Sequence, residues 1–146
     1  MILVDTGPLV AMLNRRDRYF PWIREQLALL TPPFHTCEPV LSEACFLLQQ
    51  AQLDPQPIFD LLERKMILIS FDLQSEYSFI GSLMDKYSDL RMDLADACLV
   101  RMAEKETEAT VLTLDSDFLL YRKSTRHVIP TIMPDEIRKR RRRKKR

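Results

Sequence analysis

Short apolar runs that stop at a carboxylate and pass straight into a helix start constrain this chain more than any other feature. Ile2-Leu3-Val4 reads as a strand ending at Asp5, and Thr6-Gly7-Pro8 then opens a helix, with Pro where its missing N–H costs nothing. The pattern recurs late in the chain, where a strand over 110–114 runs into Asp115 and a short helix over 116–121. Between them, helices are predicted over 20–30, from Pro39, over 56–65, over 73–87 and over Leu94–Lys105. Brief strands are predicted over 34–37 and 66–71, and a last one over 127–132. The helix from Pro39 carries the apolar stripe Val40, Leu41, Ala44, Leu47, Leu48, Ala51. Strands alternating with helices imply an α/β layered fold with a mainly parallel sheet.

A chain of 146 residues, 46% of them apolar, suits one domain with a real core. No apolar run approaches the roughly 20 residues that a bilayer-spanning helix needs. The start of the chain lacks the basic flank of a secretion signal, so a soluble, cytoplasmic protein without membrane contact is expected. Cys37, Cys45 and Cys98 are odd in number and scattered, which argues for buried thiols and against a disulfide framework or a zinc site. The net charge of +1 hides an asymmetry: residues 138–146 are nine basic side chains in succession. Without those nine, 13 Lys and Arg face 21 Asp and Glu, so the body carries a formal charge of −8. Residues 134–146 are expected to form a basic, disordered tail, either solvated or bound to an anionic partner.

In a parallel sheet, ligands bind beyond the carboxyl ends of the strands. Asp5 and Asp115 stand at two such ends, where each could also simply cap the helix that follows. Glu43 lies at the edge of its helix's apolar stripe, partly desolvated or turned out to water. Asp96 shares a helix face with Leu99, Val100 and Ala103, and Asp93, three residues earlier, reads as the N-cap. Ionised carboxylates gathered in one pocket repel one another unless a cation neutralises them, and oxygen-only ligands suit Mg²⁺ or Mn²⁺. Such ions acidify water and stabilise phosphoryl charge without a His or Cys nucleophile, and neither His35 nor His127 has an evident Ser or Cys partner. With only Gly7 and Gly81, the chain has no glycine-rich phosphate loop and no dinucleotide fingerprint.

Val4-Asp5-Thr6-Gly7-Pro8-Leu9, Pro39-Val40-Leu41-Ser42-Glu43-Ala44, Asp93-Leu94-Ala95-Asp96-Ala97 and Leu112-Thr113-Leu114-Asp115-Ser116-Asp117-Phe118 resemble, in order and spacing, the motifs of PIN-domain nucleases. The likeness is strongest to VapC-type toxins of toxin–antitoxin pairs. It covers residues 1–133, and it implies a three-layer α/β/α sandwich and an endoribonuclease that hydrolyses RNA with water activated by Mg²⁺ or Mn²⁺. A homodimer and an antitoxin partner are implied too. Carried over by position, Asp5, Glu43, Asp96 and Asp115 are the four acidic site residues, with Asp5 and Asp96 as direct metal ligands. Thr6 matches a hydroxyl beside the site, and Asp117 a variable position. Asp93 is an extra carboxylate, placed to share the metal role, and the basic tail is an addition to the family pattern. The alternative is a catalytically inactive PIN-like module that binds RNA or protein. A phosphatase or Toprim-like reading of Asp115-Ser116-Asp117 is the other enzyme class; the first strand, which offers Asp5-Thr6-Gly7 where these would want an Asp-x-Asp or a Glu, counts against it.

Overall fold

A computed structural model describes residues 1–145. Five short strands form its central sheet: β1 (Ile2–Val4), β2 (Phe34–Thr36), β3 (Ile67–Ile69), β4 (Thr110–Leu112) and, last in the chain, β7 (Thr131–Ile132). Their order is β3-β2-β1-β4-β7 and every pairing is parallel. Helices α1 (Thr6–Leu13), α2 (Phe20–Leu29), α3 (Glu38–Gln50), α4 (Gln56–Glu63), α5 (Leu73–Lys86) and α6 (Leu94–Lys105) supply the connections and flank the sheet. The result is the mixed α/β fold that the alternation of signals predicts. No helix among the described residues is long and apolar enough to cross a membrane.

The core gathers around α6. Eight of its twelve residues are buried, because it packs on β1 and β4 and also against α3 and α5. Ala95, Ala97, Cys98 and Ala103 keep its surface small enough for that close approach. One joint on its outer side is ionic: Glu76 of α5 accepts hydrogen bonds from Arg101 Nε and Lys105 Nζ, both at 2.6 Å.

The structure departs from the sequence reading in three places. The strand predicted over 127–132 is split, because Pro130 has no N–H to donate to a ladder. Its first part, β6 (His127–Val128), pairs antiparallel with β5 (Arg122–Lys123), and its second part is β7. Ser124 and Thr125 make that hairpin's turn at φ 47° and 68°, conformations that Asn or Gly would have advertised and these residues do not. On α3, the buried residues are Val40, Ala44 and Leu48, one strict i, i+4, i+8 row, and Leu47 faces out.

The third departure is a correction. Residues 134–146 are not a disordered tail as far as they are described: Asp135–Lys144 is a helix, α7. Asp135 and Glu136 sit in its first turn and its basic residues in the last, so both ends complement the helix dipole. Ile137 is buried, and the Arg138 guanidinium donates to the Thr131 carbonyl at 2.7 Å and its hydroxyl at 2.9 Å. Those contacts offset the mutual repulsion of its cations. Arg146 lies outside the described residues.

Two neighbouring leucines test this packing. Leu48 is 1% exposed and Leu47 40%. Leu48→Ala should cost about 2–5 kcal/mol in urea unfolding, and Leu47→Ala no more than about 0.5 kcal/mol. Equal losses would place α3 in a different rotation.

Candidate active site

Because β1 and β4 pair directly, with Val4 opposite Leu112, both chains leave the sheet at the same edge. The Asp5 N–H donates to the Leu112 carbonyl at 3.0 Å, which seats Asp5 beside the end of β4. One Asp5 oxygen, Oδ1, accepts from the Thr6 N–H at 2.7 Å and caps α1. Its other oxygen accepts from the Thr113 hydroxyl at 2.6 Å. That hydroxyl in turn accepts the Asp115 N–H at 2.9 Å, so one buried threonine ties the two carboxylate positions together. Asp115 caps the turn Ser116–Leu119 through the Asp117 N–H at 2.8 Å. Capping and site-building are therefore not alternatives here; each carboxylate spends one oxygen on a cap.

α6 and α3 deliver the remaining groups. Asp93 caps α6, accepting the Asp96 N–H at 2.8 Å. Asp96 is buried, and its Oδ2 accepts from the Tyr121 hydroxyl at 2.9 Å, leaving Oδ1 for another partner. Glu43, half-buried on α3, is held by the Thr6 hydroxyl at 2.8 Å. Asp117 pairs with Arg141 at 3.2 Å, and its charge also raises Asp115.

Protonation reports how tightly these charges are crowded. Burial, first, pushes Asp5 up to about 6, opposed by the Thr113 and Thr6 hydrogen bonds and assisted by the charges of Asp115 and Asp93. Asp96 is pushed up to about 8, by burial and then by the charges of Asp5 and Asp93. It rises further than Asp5 because neighbouring charges add to its burial and fewer donors offset it. Burial is also the first cause of the upward displacement of Glu43 and Asp115. Asp93 acts on all four, so this N-cap and extra carboxylate belongs electrostatically to the cluster.

Among the described residues, no three His, Cys, Asp or Glu side chains converge closely enough to hold a metal between them. A multi-ligand protein cage of the kind Ca²⁺ or structural Zn²⁺ uses is therefore not seen among the described residues. Mg²⁺ and its analogues need less, since they keep several waters and take one or two carboxylates plus phosphate oxygens. Asp5 and Asp96, both buried and both raised, Asp96 in part by the charge of Asp5, offer a hard, all-oxygen donor pair whose charge a cation would offset. The donor chemistry fits.

A family profile described as PIN domain matches residues 2–124. The chain belongs to this family. No curated protein sequence matches it. Two residues of this PIN domain's site escape sequence reading. Thr113 left a faint signal, a hydroxyl in a buried strand, which must find a partner. Tyr121 left none, since nothing local ties it to Asp96. Conversely, His35 does have a serine partner, with Ser70 Oγ 2.5 Å from its Nδ1 on the exposed β2–β3 surface. No acidic side chain bonds that imidazole among the described residues, so a triad is not formed. Beside Glu43 and Asp93 the PIN domain opens a cleft of 640 Å³, walled by Phe71, Leu73 and Leu94 as well as by Ser42 and Asp72.

The crowding has a consequence for stability. Both Asp5 and Asp96 lie above the ordinary 3.8, so the folded state holds protons that the unfolded state has lost. Their contribution is complete below about pH 4 and is lost as pH rises through 6 and then 8. In EDTA, Tm should therefore fall between pH 5 and pH 9. Asp96→Asn keeps an acceptor for Tyr121 and should flatten the slope and raise Tm above pH 7. A slope unaltered by Asp96→Asn would show that the repulsion lies elsewhere.

Proposed function

We propose that this PIN domain is a divalent-cation-dependent endoribonuclease that hydrolyses phosphodiesters of single-stranded RNA. The observation that carries the reading is the pair of buried carboxylates, Asp5 at the carboxyl edge of a parallel sheet and Asp96 on α6, the second raised by the charge of the first. Asp5 and Asp96 hold the cation, Mg²⁺ or Mn²⁺, and Glu43 and Asp115 act from its periphery. A bound cation supplies Lewis-acid stabilisation of phosphoryl charge and lowers the pKa of water. The chain's own hydroxyls do the positioning: Thr113 orients Asp5, Tyr121 orients Asp96 and Thr6 orients Glu43. The phenol of Tyr121, raised well above its usual range by burial and by Asp96, stays protonated and remains a donor. The apolar wall at Phe71 and Leu94 offers bases a surface while the phosphate lies at the carboxylates. The family motifs extend the reading to a toxin of a toxin–antitoxin pair, acting as a homodimer.

A second reading, a PIN fold that binds RNA or protein without cutting, draws on the lack of a three-ligand cluster among the described residues. Activity separates the two. Purified protein should cleave single-stranded RNA with Mg²⁺ or Mn²⁺ and stop in EDTA. Asp5→Asn and Asp96→Asn should each lower the rate by about 10²–10³, the usual loss when charge stabilisation is removed. Tyr121→Phe should raise the Mn²⁺ concentration for half-maximal rate about 10–100-fold, the effect expected of a group that orients a ligand. Undiminished cleavage in excess chelator overturns the metal mechanism; no cleavage with either cation favours the binding module.

A further inference from the structure

α7 lies outside the segment matched by the PIN profile, yet it is fastened to the site. Ile137, Arg140, Arg141 and Lys144 fall at i, i+3, i+4 and i+7 and so share one face of the helix. Ile137 anchors the start of that face in the body, and Arg141 reaches Asp117, two residues past Asp115. Between the helix and the chain lies a hollow of 330 Å³ lined by Ser116, Ile137, Arg140, Arg141, Arg143 and Lys144. Its floor residue, Ser116, directly follows a carboxylate of the candidate site.

The charges around this hollow are unbalanced. Among the described residues Arg141 has an acidic partner, whereas no ion pair is made by Arg140, Arg143 or Lys144. Lys139 with Arg143, and Arg140 with Lys144, are like-charge pairs at i, i+4, which destabilise a helix. The protein body, eight charges negative, has used one carboxylate here and supplies no second. A polyanion would relieve the repulsion, and the one that the neighbouring cleft is read to receive is RNA. The acidic edge would repel its approach, so a cationic rail beside Asp115 is where an RNA backbone gains most.

We propose that the α7 face formed by Arg140, Arg143 and Lys144, with Ser116 at its foot, is a phosphate-binding track for the RNA backbone on the Asp115 side of the site. The inference rests on the ribonuclease reading and adds the strand's path. RNA runs from the Phe71–Leu94 cleft, across the carboxylates, to α7. Arg141 does not bind phosphate; it positions the helix through Asp117. The track is local and built, unlike a diffuse basic tail, so the position of the charges matters as well as their number.

Two charge-matched double variants test this by fluorescence anisotropy with labelled single-stranded RNA, in an Asp5→Asn background. One is Arg140→Gln with Arg143→Gln. The other is Arg64→Gln with Lys65→Gln, exposed cations after α4, at the opposite edge of the sheet. Loss of two phosphate contacts should lower the log–log salt slope by roughly 1.4 and weaken binding about tenfold or more near 0.1 M salt. The α4 variant should match the parent within about twofold. Equal affinities and slopes for the α7 variant and its parent overturn the track, as do equal losses in both variants. If instead anionic phosphatidylserine vesicles lose binding with the α7 variant and RNA does not, the face serves a membrane surface and the RNA assignment falls. RNA held through α7 without cleavage by the wild-type chain leaves the track standing and sinks the ribonuclease reading. Cleavage with binding indifferent to Arg140 and Arg143 does the reverse.

Discussion

The parallel ladder that sets Ile2 against Thr110, Leu3 against Val111 and Val4 against Leu112 is the contact from which the site follows. Leu3, Val4, Val111 and Leu112 are all fully buried, so the sheet is covered on both faces and a slip of one residue would exchange side chains between two packed layers. That register brings Asp5 alongside Thr113 and, through its hydroxyl, alongside Asp115. A helix of small residues, α6, then lies close enough to the same strands to add Asp96. Core packing and site geometry are thus one constraint. The side chains that exclude water from the sheet also desolvate the carboxylates at its edge.

That arrangement carries an electrostatic cost. Four acidic groups displaced upward in pKa are groups that folding would rather leave apart or protonated. Hydroxyls from Thr6, Thr113 and Tyr121 offset part of the cost and fix each carboxylate's direction, but a hydroxyl brings no charge. Such strain, held by a well-packed core, is typical of sites that sacrifice stability for function.

The distribution of charge extends this logic beyond the pocket. An acidic body, a more acidic pocket and a basic helix at one lip form a gradient across the Asp115 edge. The Arg141–Asp117 pair is the point where the two signs meet, and Arg141 also draws Asp115 downward against its burial. Asp117 is thereby engaged with the helix as well as with Asp115.

The local signals were legible without a structure. Strand, carboxylate and helix start are neighbours in the chain at Asp5 and at Asp115, and α6 spans the residues its apolar spacing and its Asp93 cap mark out. The ordered motifs placed the chain in its family for the same reason, each being a few contiguous residues. What the tertiary structure alone decided are the contacts between distant residues: Thr113 to Asp5 across 108 positions, Tyr121 to Asp96 across 25, and the outward turn of Leu47. The docking of α7 belongs with them. Composition reads nine cations as a solvated tail because it counts their repulsion. It cannot count a buried Ile137, a carbonyl at Thr131 or a carboxylate at Asp117, which reach the helix only after the chain has folded.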